Sequence, residues 1–386
     1  MTSPLGVGLV GCGGISSHYV RLLTSFEAHI RVVAVCDVVE ERAAERSAQF
    51  VETYRAKGVE AAAPRVFTDF ERLVRHAGVQ LVVVATPPAM HAPVSLAGLE
   101  AGRHVFSEGP MAAHLRDADA VIEASRRQPG KLSVQYCTRF FREARQAKLA
   151  VSRGLLGKIA LGRVDASWHW GMEFYRDTKF GRNRYRGTFS GEGGGSAYHH
   201  GRYASDLFLH LMGEPVIEVA ALTGTLLHEI ETEDVSSAAL RFQSGAIGHV
   251  TTTICAHRNE AIPYDRVELF GERASLQVCR GIDWRTAPAQ PHFGLSIASA
   301  DATYAEEVRA QLDQLVPATG EDMQVAQFRQ FLDAIEQDLA PPVSPESARA
   351  HVELVRATYK SARTRTAVSL PLGAADPFYG PDGTAG

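Results

Sequence analysis

The chain has 386 residues, of which 45% are hydrophobic and 22% charged, and its formal net charge is −4. This length exceeds the usual size of one hydrophobic core, so two domains are expected. The small negative charge argues against nucleic acid as a main partner, because that partner requires a basic face. No run approaches the ~20 apolar residues of a membrane span, and the chain does not open on a signal-peptide pattern. We therefore expect neither nucleic-acid nor membrane association.

The first third of the chain alternates short apolar runs with helical segments. The apolar runs are LGVGLVG, RVVAVCD, VQLVVVAT, HVFSE and KLSVQYC. Strands that are apolar throughout are typical of a parallel sheet covered on both faces. The pattern predicts a doubly wound α/β domain of the Rossmann type at residues 1–135.

A glycine-rich turn follows the first strand. In GCGGIS, the three positions of the G-x-G-x-x-G pattern are taken by Gly11, Gly13 and Ser16, with Gly14 and Ile15 between them. Glycine permits the tight turn and the close approach of a pyrophosphate, and a small third residue lets helix and strand pack closely. The free N–H groups of the following helix favour an anion. We interpret this segment as a dinucleotide-binding loop, although an ordinary glycine turn would look similar.

The second strand ends on an acidic residue. Asp37 is placed to accept hydrogen bonds from the adenosine ribose hydroxyls, and it would repel a 2′-phosphate. Val38 and Val39 supply no cation that could hold such a phosphate. The sequence therefore predicts NAD as the cofactor, with NADP less favoured.

Further candidate cofactor contacts follow the fourth, fifth and sixth strands. Ligands bind at the carboxyl ends of the strands in sheets of this type, so residues of these loops share one rim. These candidates are Thr86, Pro87, Pro88, His91, Glu108, Gly109 and Gln135.

The second part of the chain is rich in β-strand patterns. It contains several β-rich runs joined by glycine and polar turns, followed by two amphipathic helices. We expect a second domain at residues 136–372 and an irregular tail at 373–386, where Gly, Pro and Asp are frequent. The five cysteines, which lack metal-ligand spacing, are interpreted as reduced thiols of a cytoplasmic protein without a metal site.

A segment in this second part combines flexible and titratable residues. In GGGSAYHHGRYASD, a helix is expected to start at Ser196, which can cap it, and to end at Gly213. His199 and Tyr203 are four residues apart and would share a face, with His200 about a quarter turn away. Histidine carries protons near neutral pH, and tyrosine can donate a hydrogen bond to a developing alkoxide. The alternative is that these side chains are hydrogen-bonded within a domain interface.

Two further segments are candidates for substrate contact. SWHW places Trp168 and His169 at a strand end, and a basic loop contains Arg184 and Tyr185. Aromatic faces and arginine suit a sugar, although core packing would explain the tryptophan and a solvated loop would explain the basic residues.

These segments resemble the Gfo/Idh/MocA family in their order and spacing. The resemblance rests on GCGGIS, CD, ATPPAMH, EGP and the three glycines, together with SGAIGHVTTT and VELFGERASLQV further along. It implies an NAD(P)-dependent enzyme acting on a small molecule such as a sugar or cyclitol. It also implies a second α+β domain with an open, largely antiparallel sheet, substrate bound between the domains, and a homodimer or homotetramer joined through that sheet.

The chain departs from the family pattern at its polar groups. The family's Glu-Lys-Pro is here Glu-Gly-Pro, with Gly109 in place of the lysine that points at the reacting hydroxyl. The family's Asp and His on the following helix align with His199 and Tyr203. The resemblance thus implies a catalytic site rebuilt around His199, His200 and Tyr203.

Three functions are compatible with this pattern. The first is an NAD-dependent oxidoreductase that acts on a secondary hydroxyl of a sugar, cyclitol or related compound. The second is a redox-neutral NAD-dependent glycosidase or lyase that uses transient oxidation and elimination. The third is a non-catalytic, sugar-responsive regulator.

Overall fold

The computed structural model describes residues 4–176, 185–257, 263–283, 290–381 and 383. Contacts divide the described chain into two compact units. The first unit contains residues 4–135, 185 and 327–349, and the second contains the remaining described residues.

The first unit is built on a parallel sheet of six strands in the order β3-β2-β1-β4-β5-β6. All four residues of β4 are buried, so both faces of the sheet are covered at its centre. This confirms the predicted Rossmann-type sheet. The strands are β1 (Leu5–Val10), β2 (Ile30–Cys36), β3 (Arg65–Phe67), β4 (Leu81–Val84), β5 (His104–Glu108) and β6 (Leu132–Gln135).

Helices connect these strands, as the alternating sequence pattern predicts. A short 3-10 turn at Pro88–Met90 precedes the fourth of them. The helices are α1 (Ser16–Thr24), α2 (Glu40–Ala56), α3 (Phe70–Val74), α4 (His91–Glu100) and α5 (Leu115–Arg127).

The second unit is built on an eight-stranded sheet in the order β13-β12-β11-β7-β10-β9-β8-β14. Only β7 and β10 pair in parallel; the other neighbours are antiparallel. The predicted open, largely antiparallel sheet is confirmed. The strands are β7 (Ile159–Ser167), β8 (Val216–Gly224), β9 (Val235–Phe242), β10 (Ile247–Thr253), β11 (Pro263–Gly271), β12 (Ser275–Asp283), β13 (Gln290–Ala298) and β14 (Val368–Ser369).

Burial alternates along the central strands β9 and β10. One face of this sheet is therefore covered and the other is more exposed.

The remaining helices in the described residues are α6 (Arg142–Ser152), α7 (Met172–Arg176), α8 (Phe189–Glu192), α9 (Arg202–Met212), α10 (Ala302–Leu315), α11 (Met323–Glu336) and α12 (Pro345–Thr364).

Residues 327–349 group with the first unit, whereas the sequence pattern predicts a second domain that spans all of 136–372. The reason is aromatic packing. The ring of Phe328 lies 5.1 Å from that of Phe106 on β5 and 5.3 Å from that of Phe26. An amphipathic pattern predicts a helix but does not reveal which core the apolar face joins.

The described part of the C-terminal tail has little regular structure, but it is held against α12. A 3-10 turn covers Pro377–Tyr379, and Phe378 is only 7% exposed. The carbonyls of Phe378 and Gly380 accept hydrogen bonds from the buried Arg356 guanidinium on α12.

None of the helices in the described residues combines the length and the apolar character that spanning a membrane requires.

Candidate active site

The glycine-rich loop follows β1 and leads into α1. Gly11 has a φ of +96°, and a Cβ at this position would lie 2.4 Å from the carbonyl oxygen of Ala85, so only glycine fits. A Cβ at Gly13 would meet nothing within 4 Å, which leaves open space beside the backbone. The Ser16 hydroxyl donates to the Gly13 carbonyl at 2.5 Å, and α1 begins at Ser16. Gly14 and Ile15 are exposed on the same loop. This arrangement suits a pyrophosphate at the start of α1.

Asp37, directly after β2, is held in a fixed orientation. One carboxylate oxygen accepts the Cys12 N–H at 2.9 Å and the other accepts the Val39 N–H at 2.9 Å. Each oxygen keeps a lone pair for a further donor. Val38 is 87% exposed and carries no charge. A ribose diol fits this acceptor better than a phosphate does.

His91 links the two loops that follow β4 and β5. Its Nδ1 lies 2.7 Å from the carbonyl oxygen of Pro110, and its Nε2 lies 2.9 Å from that of Thr86. The imidazole is buried. It was predicted as a cofactor contact, but these hydrogen bonds indicate that it braces the loops that would carry such contacts.

Two buried polar atoms near this rim lack a hydrogen-bond partner among the described residues: Thr86 Oγ1 and Gln135 Oε1. Leaving a buried acceptor unsatisfied costs about 1–3 kcal/mol. A carboxamide N–H would satisfy Gln135, so the residues present fit a nicotinamide. Glu108, by contrast, already accepts the Tyr19 hydroxyl at 2.8 Å. Two further predicted contacts, Pro87 and Pro88, follow β4, and the buried Gly109 follows β5.

The three glycines of the second unit are required by neighbouring protein atoms. Gly193 has a φ of +83°. A Cβ at Gly194 would lie 2.0 Å from the Tyr359 hydroxyl oxygen, and one at Gly195 would lie 2.0 Å from the Glu233 carbonyl oxygen. At Gly194 and Gly195, any side chain would therefore clash with other atoms of the protein.

Glu233 anchors this glycine segment from a neighbouring loop. Its carboxylate accepts the N–H groups of Gly195 at 3.0 Å and Ala197 at 2.8 Å, and the Tyr359 hydroxyl at 2.8 Å. Burial raises the pKa of Glu233 to about 7, although these three donors favour the ionised form. The segment is thus held by one buried carboxyl.

The helix after the glycines differs from the predicted one. Residues 196–200 form a single π-helical turn, closed by the Gly201 N–H on the Ser196 carbonyl at 2.7 Å. The regular helix α9 begins only at Arg202, and Gly213 ends it with a φ of +67° as predicted. Ser196 is not a cap, because its hydroxyl lies 3.0 Å from that of Thr252. Because this turn is wider than an α-helical turn, the rule that residues four apart share a helix face cannot be applied to His199 and Tyr203.

Arg202 lies between these two candidate residues. Its guanidinium donates to the His199 carbonyl, and it donates to the Tyr203 hydroxyl at 2.6 Å. The Tyr203 ring also lies under the guanidinium of Arg280, 4.8 Å from its centroid. The phenolic oxygen acts as an acceptor towards Arg202, which fixes the orientation of the hydroxyl group.

The two histidines have different environments. His200 is 8% exposed, and its ring lies 5.6 Å from Trp170 and 6.0 Å from Phe174. Burial, with Arg202 and Arg186 nearby, holds the pKa of His200 well below its usual value, so this imidazole is neutral at pH 7. The His199 side chain is 19% exposed, and its Nδ1 lies 3.9 Å from Glu192 Oε1. The two histidines, which their positions in the sequence do not distinguish, therefore differ in burial and in their neighbours.

Glu192 is a candidate that sequence reasoning missed. It is only 2% exposed, and burial raises its pKa to about 7. A carboxyl that titrates near neutrality is suited to proton transfer. The available signal was its position directly before the three glycines.

The predicted substrate residues are not gathered into one cluster by the described contacts. The Trp168 indole N–H donates to Asp265 at 3.1 Å, which favours a packing role. His169 is exposed, and its ring centroid lies 4.1 Å from that of His257, with the two rings tilted by 39°. Tyr185 groups with the first unit, whereas Trp168 and His169 belong to the second. Arg184 lies outside the described residues.

Arg139 and Asp206 form a buried ion pair within the second unit. The Arg139 Nε donates to Asp206 at 2.7 Å, and both side chains are almost completely buried. Burial raises the pKa of Asp206 while the guanidinium opposes that shift. Asp206, on the helix that carries Tyr203, therefore serves the structure rather than a ligand.

Within the described residues, one group brings metal-ligating atoms within 4.8 Å of one another: His228, Asp234 and Cys255. Hydrogen bonds of Asp234 and His228 explain why these side chains lie close together. Asp234 accepts the backbone N–H groups of Leu226, Leu227 and His228, and its carboxylate also lies 3.1 Å from His228 Nδ1. The second imidazole nitrogen is 2.7 Å from the Trp170 carbonyl oxygen.

Comparison with known proteins places the chain in a family. Residues 5–136 match the Gfo/Idh/MocA oxidoreductase family model with an NAD-binding Rossmann fold, and residues 144–277 match the C-terminal domain model of the same family. Myo-inositol 2-dehydrogenase of Thermotoga maritima is 28% identical over 275 residues, covering 70% of this chain and 74% of that one. An uncharacterized oxidoreductase of Bacillus subtilis, YrbE, is 24% identical over 366 residues, covering 90% of this chain and 98% of that one.

Solved structures agree with this placement. The WlbA dehydrogenase of Bordetella pertussis, solved in complex with NADH and UDP-GlcNAcA, has a TM-score of 0.76 at 24% identity. The alignment covers 97% of this chain and 99% of that one, and at this identity it establishes the fold. With both domain models matched in order along the chain, this protein belongs to the Gfo/Idh/MocA family of NAD-binding oxidoreductases.

Proposed function

We propose that this oxidoreductase transfers a hydride between nicotinamide and a secondary hydroxyl of a sugar, cyclitol or related compound, with His199 as the proton carrier. The observation that supports the proposal is the contrast between the two histidines. His200 is buried among aromatic rings and held neutral, whereas His199 is partly exposed and lies beside the Glu192 carboxyl.

In the oxidative direction, the substrate O–H bond breaks and its proton passes to His199. The hydrogen on the same carbon leaves as hydride with both electrons of its C–H bond, and the electron pair left on oxygen by the O–H bond forms the carbonyl. Nicotinamide, when bound, supplies the hydride acceptor. Tyr203, whose hydroxyl is fixed by Arg202 at 2.6 Å, donates a hydrogen bond to the oxygen while negative charge develops on it.

The first unit would hold the cofactor with the glycine-rich loop on the pyrophosphate, Asp37 on the adenosine ribose and Gln135 on the carboxamide. Asp37 has both carboxylate oxygens oriented by backbone N–H groups, which supports a preference for NAD over NADP. Calorimetric titration with each cofactor tests this assignment.

A second candidate function is the redox-neutral glycosidase or lyase. Net oxidation needs one proton acceptor, whereas transient oxidation followed by elimination also needs a base for the acidified C–H bond and an acid for the leaving group. Glu192, which titrates near pH 7 beside His199, provides a second proton-carrying group. The third possibility raised by the sequence, a regulator without catalysis, is less consistent with these groups.

One assay separates the two catalytic candidates. A library of sugars, cyclitols and glycosides is screened with NAD, and both NADH absorbance and released product are followed. NADH in stoichiometric amount with product supports the dehydrogenase. Product without net NADH, together with deuterium from solvent beside the oxidised carbon, supports the redox-neutral route.

We also propose that the protein is a cytoplasmic homo-oligomer joined through the second sheet. Ile217, Leu222 and Ile247 on its strands are 38%, 74% and 39% exposed, which suits a covered face. None of the five cysteines forms a disulfide with another, which suits a reducing compartment. Light scattering on the purified protein, with Leu222→Glu as the variant, tests the assembly.

A further inference from the structure

Glu192 ends helix α8 and uses its two carboxylate oxygens differently. Oε2 accepts the Gly187 N–H at 2.6 Å, which fixes the carboxyl group in place. Oε1 lies 3.5 Å from Arg186 Nη1 and 3.9 Å from His199 Nδ1. One oxygen therefore anchors the side chain, and the other is directed at a cation and an imidazole.

The charged groups around this carboxyl are Arg186 and Arg202, which favour its ionised form, and Glu233, which opposes it. Burial is the largest influence and raises the pKa of Glu192 to about 7. Burial, and then the charge of the same carboxylate, raise the pKa of the Tyr175 phenol. The Glu192 carboxyl can thus release or hold a proton at neutral pH.

We propose that Glu192 is the positioning residue for His199, with its Oε1 accepting the Nδ1–H so that Nε2 is the nitrogen that takes the substrate proton. The proposal rests on the proposed function, since it requires His199 to be the proton carrier. An N–H···O hydrogen bond lies at about 2.7–3.2 Å, so the ring moves roughly 1 Å towards the carboxyl when the pair closes. Catalytic hydrogen bonds are commonly long before substrate binds.

The substrate O–H proton moves to Nε2 and leaves an imidazolium, whose charge the Glu192 carboxylate stabilises at Nδ1. In the reverse direction, Nε2 returns that proton to the carbonyl oxygen as hydride is delivered to the carbon. Glu192 keeps the imidazole in one tautomer and one orientation in both directions.

The competing explanation is that Glu192 only organises its own loop through Gly187 and Arg186. Glu192→Gln separates the two. The amide oxygen of glutamine can still accept the Gly187 N–H, whereas the negative charge opposite His199 is lost. Glu231→Gln is the matched control, because Glu231 is another acidic residue that contacts α8. It accepts the Phe189 N–H at 3.3 Å, at the exposed first residue of that helix.

The measurement is an NMR titration of the His199 imidazole in the full-length protein, with the signal assigned by its disappearance in His199→Gln. A carboxylate within ~4–6 Å favours an imidazolium by about 1–3 pKa units, so we expect the His199 midpoint to fall by about one unit in Glu192→Gln. Glu231→Gln should leave it unchanged. An unchanged midpoint in folded Glu192→Gln protein overturns the proposal.

A second measurement uses only the wild-type protein, in case Glu192→Gln does not fold. Nitrogen-15 chemical shifts of neutral His199 report its tautomer, and we expect the Nδ1–H form. Predominance of the Nε2–H form overturns the proposal. These readouts do not depend on turnover. If His199→Ala retains full activity while Glu192→Gln shifts the titration, the pairing stands and the proposed catalytic role of His199 fails.

Discussion

The two adjacent histidines should respond differently to substitution. His199→Ala removes the proposed general base, and such a loss costs ~10²–10⁴ in rate. At 1.36 kcal/mol per decade, this corresponds to about 3–5 kcal/mol of transition-state stabilisation. Cofactor affinity should not change, because the proposed cofactor contacts belong to other residues.

His200→Phe should cost less than about tenfold in turnover. Burial keeps the His200 imidazole neutral, so it is poorly suited to take up a proton. Phenylalanine retains a ring against Trp170 and Phe174, which lie 5.6 Å and 6.0 Å away, and aromatic pairs of this kind contribute about 0.5–1.5 kcal/mol each. Alanine is a less suitable choice here, because truncating a buried ring leaves a cavity.

The assay is steady-state turnover of a confirmed substrate, with kcat and KM measured separately and NAD affinity measured by calorimetry. We expect His199→Ala to reduce kcat with little change in the NAD dissociation constant. The reasoning is refuted if His200→Phe loses a hundredfold while His199→Ala does not. Normal turnover by the double alanine variant would show that both side chains are structural.

Three further predictions concern other parts of the chain. Asp37→Ala should weaken NAD binding more than NADP binding, and tighter NADP than NAD binding by the wild type in calorimetry would contradict the role of Asp37. Gly109→Lys should not raise turnover, since Gly109 is buried and the proposed proton path runs through His199; a large gain in kcat would show that the family's usual base is still usable. Asp206→Asn should destabilise the fold by about 3–5 kcal/mol, because it leaves the Arg139 charge buried without its partner; denaturant unfolding measures this, and a change below 1 kcal/mol would argue against the pair's structural role.

The Rossmann-type unit could be predicted from sequence because its signals are local. Its strands are mostly short apolar runs, and the φ of +96° that favours glycine at Gly11 is a property of the tight turn itself. β3 was harder to identify, since only Phe67 of its three residues is buried. The sequence pattern also does not predict β13 and α10 in the second unit.

The candidate site was only partly predictable, because its geometry depends on distant residues. The π-helical turn at 196–200 lies where Glu233 accepts the N–H groups of Gly195 and Ala197, and Glu233 is itself held by Tyr359, 126 positions further along. A helical wheel assumes regular spacing and cannot anticipate that turn. The contrast between His199 and His200 likewise follows from burial beside Trp170 and Phe174, which no local pattern reveals.

Because Glu192 and Glu233 are buried, the stability of the second unit should decrease as pH rises. Burial raises the pKa of both Glu192 and Glu233 to about 7, above the value of 4.5 for an unperturbed glutamate. Between these values the folded protein keeps protons that the unfolded chain releases, so the stability that these groups contribute is present below pH 4.5 and falls as pH rises towards 7. Glu233→Gln should flatten this slope, and so should Glu192→Gln, but only the second should also move the titration of His199. The two carboxyls titrate alike, yet one holds the glycine segment and the other faces the imidazole, so these two variants separate the stability of the segment from its chemistry.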